Sequence, residues 1–377
     1  MPAFDDRQPE TRPPASSVVE RQGVKGVRFD HDTLAQRVRF ASASAAEILA
    51  DEIKELGAAR VMVIAAEAER ELAHRIAAQL PVAHWHHEVA MHVPVEVAER
   101  AREQAAAHRA DALVCIGGGS TTGLAKAVAL TTGLPIVAVP TTYAGSEATN
   151  VWGLTEHARK TTGTDPRVLP RTIVYDATLM LTLPVDLSVA SGLNALAHCV
   201  DSMWAPRADP IDRALAGEGI RALRIGLPLV AAEPDGLDGR EHALYGAYLS
   251  AVAFASAGSG LHHKICHVLG GMFDLPHAQT HAVVLPHVLA FNAPAAPDAE
   301  RRIAAAFDAE SATGGLARLR TRLDAPRSLR DYGMPESGIG PAAEAILAAV
   351  PPGNPTPVTA DNITGLLHAA WEGAEPR

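Results

Sequence analysis

Five apolar residues, Ala112-Leu-Val-Cys-Ile116, run directly into Gly117-Gly-Gly-Ser120 and then into a helix-forming stretch from Thr121 to Leu130. Glycines at a strand-to-helix turn let backbone amides approach an anion without side-chain obstruction. The helix N-terminus adds partial positive charge at the same point. One glycine there would indicate only a tight turn. Three in succession favour phosphate, although the spacing is not that of the common dinucleotide fingerprint.

The surroundings of this turn set the fold class. Arg37 to Phe40, Arg60 to Ala65, Ala112 to Ile116 and Pro135 to Val139 read as strands. Ala45 to Leu56, Glu67 to Gln79 and Val95 to His108 read as the helices between them. Such alternation predicts an α/β N-terminal domain with a parallel dinucleotide-binding sheet covered on both faces. The last of these strands leads into Pro140-Thr-Thr-Tyr-Ala-Gly-Ser-Glu147, a polar loop where parallel sheets bind ligands. Beyond Pro184 alanine- and leucine-rich helical stretches take over, and Asn292 to Asp298 is a connector within them. The expected organisation is a tail over 1–28, an α/β domain over 29–184 and an all-helical domain over 185–377. A bilobal protein of this kind places its ligand crevice between the two.

Composition narrows the partners. With 33 basic and 43 acidic residues the net charge is −10, which argues against nucleic-acid and anionic-membrane binding and for a small molecule. Cys115, Cys199 and Cys266 form an odd, scattered trio, as expected of a reduced cytoplasmic protein. The N-terminus carries no secretory pattern, and the most apolar helical stretch, Ala247 to Ala257, is too short to span a bilayer.

The second half holds a histidine constellation. Asn194 and His198 lie four apart on one helix face, as do His263 and His267, and His277 follows a turn at Pro276. A lone histidine on an apolar helix is usually a packed core residue. Here the spacing repeats among small and apolar neighbours, which points to a common site. Neutral imidazoles suit divalent transition metals. The position that would complete such a site is Asn194, an uncharged amide. His262, His281 and His287 are read as supporting or surface residues, and Lys264 as solvated or paired with a carboxylate.

The glycine turn, the Pro-Thr-Thr segment with Gly145-Ser-Glu147, the helix Ser191 to His198, and His263, His267 and His277 together resemble the iron-containing alcohol dehydrogenases. Gly123, the short Thr141 to Ser146 loop, Leu193-Asn194 and Leu261-His-His-Lys-Ile-Cys-His267 are similar to the maleylacetate reductase branch. One departure is Phe40-Ala-Ser-Ala-Ser44, where the family usually has glycines. The resemblance implies a dehydroquinate synthase-like fold and a homodimer. It also implies NADH- or NADPH-linked reduction of maleylacetate, a dicarboxylate, to 3-oxoadipate in aromatic catabolism, without a metal. The metal-ligand positions of the family fall on Asn194, His198, His263 and His277, here expected to bind substrate, with the three histidines also serving catalysis. The family's histidine near the nicotinamide falls on His267, the expected proton donor. Gly118, Gly119, Ser120, Thr141, Thr142, Ser146 and Lys160 form the expected cofactor set. Two rivals stay open: a metal-dependent alcohol dehydrogenase that tolerates Asn194, and a lyase on the same scaffold that consumes no NADH overall.

Overall fold

The computed structural model describes residues 29–156 and 159–376; the tail expected over 1–28 lies outside the described residues. Strands and helices alternate through the first half. They are β1 (Arg37–Phe40), α1 (Ala45–Leu56), β2 (Val61–Ile64), α2 (Arg70–Ile76), β3 (Val82–His86), α3 (Val95–Ala107), β4 (Ala112–Gly117), α4 (Gly119–Thr132) and β5 (Ile136–Pro140). A hairpin, β6 (Val151–Glu156) and β7 (Arg159–Thr164), precedes β8 (Thr172–Tyr175). Six strands form one parallel sheet in the order β1-β8-β5-β4-β2-β3. β2, β4 and β5 are buried along their whole length, which explains their unbroken Val, Ile, Leu and Ala runs.

The expected helix from Glu67 is shorter than its pattern. A single 3₁₀ turn over Glu67–Glu69 leads into α2, which ends at Ile76. The helix expected from Thr121 begins two residues earlier, so Gly119 and Ser120 belong to its first turn.

From Val185 onward the chain is helical: α5 (Val185–Ser202), α6 (Pro210–Ala232), α7 (Leu237–Ala257), α8 (Leu261–Phe273), α9 (His277–Asn292), α10 (Pro297–Phe307), α11 (Ala312–Arg322), α12 (Ile339–Ala349) and α13 (Ala360–Glu372). α5 is buried almost from end to end, packed by α6, α7 and α9. Gly192 permits this approach, because a Cβ there would sit 2.2 Å from Leu227. Pro286 inside α9 cannot donate to the carbonyl of Ala282, and the Arg320 guanidinium of α11 donates to that oxygen instead. Among the described residues, no helix is long and apolar enough to cross a membrane.

Two loops at the carboxyl ends of neighbouring strands carry the sheet to the helices. Gly117 and Pro140 are register partners on β4 and β5, so the loops that follow lie side by side. The second loop is fixed to the helical half twice. The Tyr143 backbone N–H donates to Ser191 Oγ at 3.1 Å, and Gly145, with φ +77°, comes so close to α7 that a Cβ would sit 2.7 Å from Ala251.

Candidate active site

α4 starts on Gly118, which adopts extended backbone and supplies no capping side chain. The first amides of the helix are therefore left to a ligand or to water. A Cβ on Gly118 would approach Thr142 Cγ2 at 3.0 Å, and one on Gly119 would approach Ala144 at 3.3 Å. The glycines thus hold open the narrow space between the loops bearing Thr141, Thr142 and Ser146. Bare helix amides, flanking hydroxyls and close backbone approach fit a dinucleotide pyrophosphate. Lys160 lies on β7, and its side chain is outside the described residues.

Lys126, one helical turn beyond Thr122, locks this region from below. Its ammonium is fully buried and donates to the carbonyls of Ser146 (2.6 Å), Thr149 (2.8 Å) and Val151 (2.9 Å), and to Thr149 Oγ1 (3.0 Å). Burial pushes its pKa down to about 7. Only the charged form carries three protons for these acceptors, which favours the ammonium. Nothing in the sequence pattern singled this lysine out.

The histidines gather where α5, α8 and α9 meet. His198 and His263 stack with ring centroids 4.8 Å apart and planes 18° from parallel, and Phe254 of α7 covers both. His267, one turn beyond His263, meets it edge-on at 6.2 Å. His277, the first residue of α9, is exposed and joins through His281, whose ring is 4.4 Å from its own and 5.0 Å from that of His263. Asn194 is buried one turn before His198 on α5. Three polar atoms among the expected site residues are buried without a protein partner: Asn194 Oδ1, His198 Nδ1 and His263 Nε2.

Of the two readings open for His262 and His281, supporting or surface, the structure bears out the first. Neither is a surface residue: both are completely buried, and His262 Nε2 lies 2.9 Å from His281 Nδ1. His287 is also buried, but it faces a cavity elsewhere. Lys264 is half-buried and forms no ion pair among the described residues.

The structure adds Asp201. Its fully buried Oδ2 accepts the Gly260 amide at 3.1 Å, the His263 amide at 3.3 Å and His263 Nδ1 at 2.7 Å. A Cβ on Gly260 would sit 2.5 Å from the carboxylate, so glycine is required at the start of α8. Asp201 fixes the ring of His263 and leaves Nε2 as the atom presented for chemistry. The spacing Asn194-x-x-x-His198-x-x-Asp201 was a usable signal, since all three lie along one stripe of α5.

Burial sets the charge state. It lowers the His198 pKa to about 4 and holds that of His263 well below the ordinary imidazole value, with the surrounding imidazoles adding to the effect. Both rings are neutral at pH 7. Burial pushes the Asp201 carboxyl up to about 7, and it is engaged behind His263, so Asn194, His198, His263 and His277 offer an amide and imidazoles without an anionic oxygen. Imidazoles suit divalent iron, which is commonly held by a carboxylate oxygen as well. The set here has the imidazoles and an amide in place of that carboxylate.

A parallel sheet offering an uncapped glycine turn to a helical half lined with imidazoles fits a nucleotide-dependent oxidoreductase. Residues 35–177 match the model of the iron-containing alcohol dehydrogenases, and residues 188–371 match that of the C-terminal part of the Fe-containing alcohol dehydrogenase family. The maleylacetate reductase of Sphingobium indicum is 45% identical over 93% of this chain and 99% of its own. The crystal structure of maleylacetate reductase from Agrobacterium tumefaciens superposes with a TM-score of 0.88 at 42% identity, covering 93% of this chain and 99% of that one. The iron-containing alcohol dehydrogenase from Corynebacterium glutamicum superposes with a TM-score of 0.90 at 62% identity, covering 92% and 97%. The chain belongs to the iron-containing alcohol dehydrogenase family, in its maleylacetate reductase branch.

Proposed function

We propose that this enzyme reduces maleylacetate to 3-oxoadipate with NADH or NADPH, and that it does so without a resident metal. The observation that carries the reading is the set of buried, uncharged and unpartnered donors and acceptors at Asn194, His198 and His263. The maleylacetate reductases at 42–47% identity over most of the chain support the same substrate.

Residues 29–184 hold the dinucleotide through Gly118, Gly119, Ser120, Thr141, Thr142, Ser146 and Lys160, and the helical half binds the substrate. A nicotinamide bound there would supply hydride to the alkene carbon β to the ketone, and negative charge would develop on the ketone oxygen. His267 donates a proton or hydrogen bond to that oxygen, and the adjacent carbon is then protonated. His198, His263 and Asn194 offer neutral polar contacts to the dianion, and exposed His277 links the site to solvent protons. Phe254 covers the stacked rings of His198 and His263 and limits water access. The enzyme is a homodimer of the reducing cytoplasm, where its three buried cysteines remain thiols.

The relative at 62% identity is named an iron-containing alcohol dehydrogenase, which favours a second reading, metal-dependent alcohol oxidation. His267→Phe tests the role assigned above. Loss of one transition-state donor costs about 10²- to 10³-fold in kcat. A fully folded variant with near-normal kcat would remove His267 from catalysis.

A further inference from the structure

Away from the histidine cluster, α9 and α11 flank a cavity of about 700 Å³, within the size range of small-molecule sites. Its walls are partly apolar, with Pro294, Leu316 and Ala317 among them. Its polar groups include His287, Arg320 and Arg327. His287 is only 4% exposed, lines this space and makes no hydrogen bond among the described residues. His287 therefore keeps hydrogen-bonding capacity that a ligand in the cavity can take up. Arg320 beside it spends two donors on the carbonyls of Ala282 and Pro326, which leaves further N–H groups on the same guanidinium. Burial and the charge of the exposed Arg327 nearby both press the Arg320 pKa down, to about 10.

We propose that this cavity binds a small organic carboxylate, its anionic end on His287, Arg320 and Arg327 and its apolar body against Pro294 and Leu316. Of the two acids that line the cavity, Glu300 already caps α11 by accepting the Ala312 amide at 2.9 Å. Glu375 is the competing anion, since its charge acts on Arg320. The site is separate from the catalytic histidines. His287 and His277 are ten residues apart on α9, about 15 Å along its axis.

Calorimetric titration of the intact enzyme with benzoate, and with benzyl alcohol as its uncharged counterpart, tests this. Benzoate should saturate at one site per chain, and the alcohol should bind about tenfold more weakly or worse, because charge-assisted hydrogen bonds are lost. His287→Leu and Arg327→Met should each weaken benzoate about tenfold while turnover stays unchanged, and Glu375→Gln should tighten it. Three results would each overturn the assignment. They are absence of saturable binding, affinity in His287→Leu and Arg327→Met unchanged from that of the unsubstituted enzyme, and displacement of benzoate by maleylacetate, which would place it among the catalytic histidines.

Discussion

His263 Nδ1 lies 2.7 Å from Asp201 Oδ2, and that one oxygen also accepts two backbone amides at the start of α8. The carboxylate therefore holds the helix N-terminus and the ring together. Asp201→Asn keeps the shape, because an amide oxygen can take the place of Oδ2. What it removes is the ionisable carboxyl behind the imidazole, which burial pushes up to about 7. Groups that orient a functional histidine in this way are worth about 10- to 100-fold in activity. We expect kcat to fall by that amount with melting temperature and dinucleotide KM nearly unchanged. Normal kcat in a folded variant would reduce Asp201 to a helix cap.

Gly118→Asp should act on the cofactor alone. The new Cβ would press on Thr142, and its carboxylate would face the amides of α4 where the pyrophosphate is expected. A sharply raised KM for NADH or NADPH, with the fold intact by circular dichroism, is the expected result. An unchanged KM would detach the glycine turn from cofactor binding.

The departure at Phe40-Ala-Ser-Ala-Ser44 has a visible structural cost. Ala43 has φ +58°, a left-handed conformation that favours glycine. The Asp176 side chain secures the turn by accepting the amides of Ala43 (2.8 Å), Ser44 (3.0 Å) and Ala45 (3.0 Å). Relieving the strain is worth about 1–2 kcal/mol, and the greater unfolded-state freedom of glycine takes back about 0.4–1 kcal/mol. Ala43→Gly should therefore raise stability by up to about 1.6 kcal/mol, read from urea midpoints at constant m-value. A loss of stability would show that the turn is already relaxed.

Much of this architecture was legible in the sequence because its signals are local. Buried parallel strands appear as apolar runs such as Val61–Ile64, and the glycine turn stands at the junction the pattern required. β3 is hard to read because Val82-Ala-His-Trp-His86 mixes histidines into an edge strand, β8 because Thr172-Ile-Val-Tyr175 is only four residues long, and the β6–β7 hairpin because its second strand, Arg159–Thr164, is polar and threonine-rich. The histidine list is readable from i, i+4 spacing, and Asp201 continues the same stripe of α5, but the contacts these residues make are not. Asp201, Lys126 and the His262–His281 pair work through contacts between elements distant in sequence, and burial decides their charge. Only the folded packing supplies that.

Turnover after metal removal tests the central claim most directly. Enzyme dialysed against a strong chelator should still oxidise NADH or NADPH stoichiometrically with the formation of 3-oxoadipate from maleylacetate. It should also leave simple alcohols unoxidised when given NAD⁺. Loss of maleylacetate reduction on chelation, restored by added iron or zinc, would contradict the account.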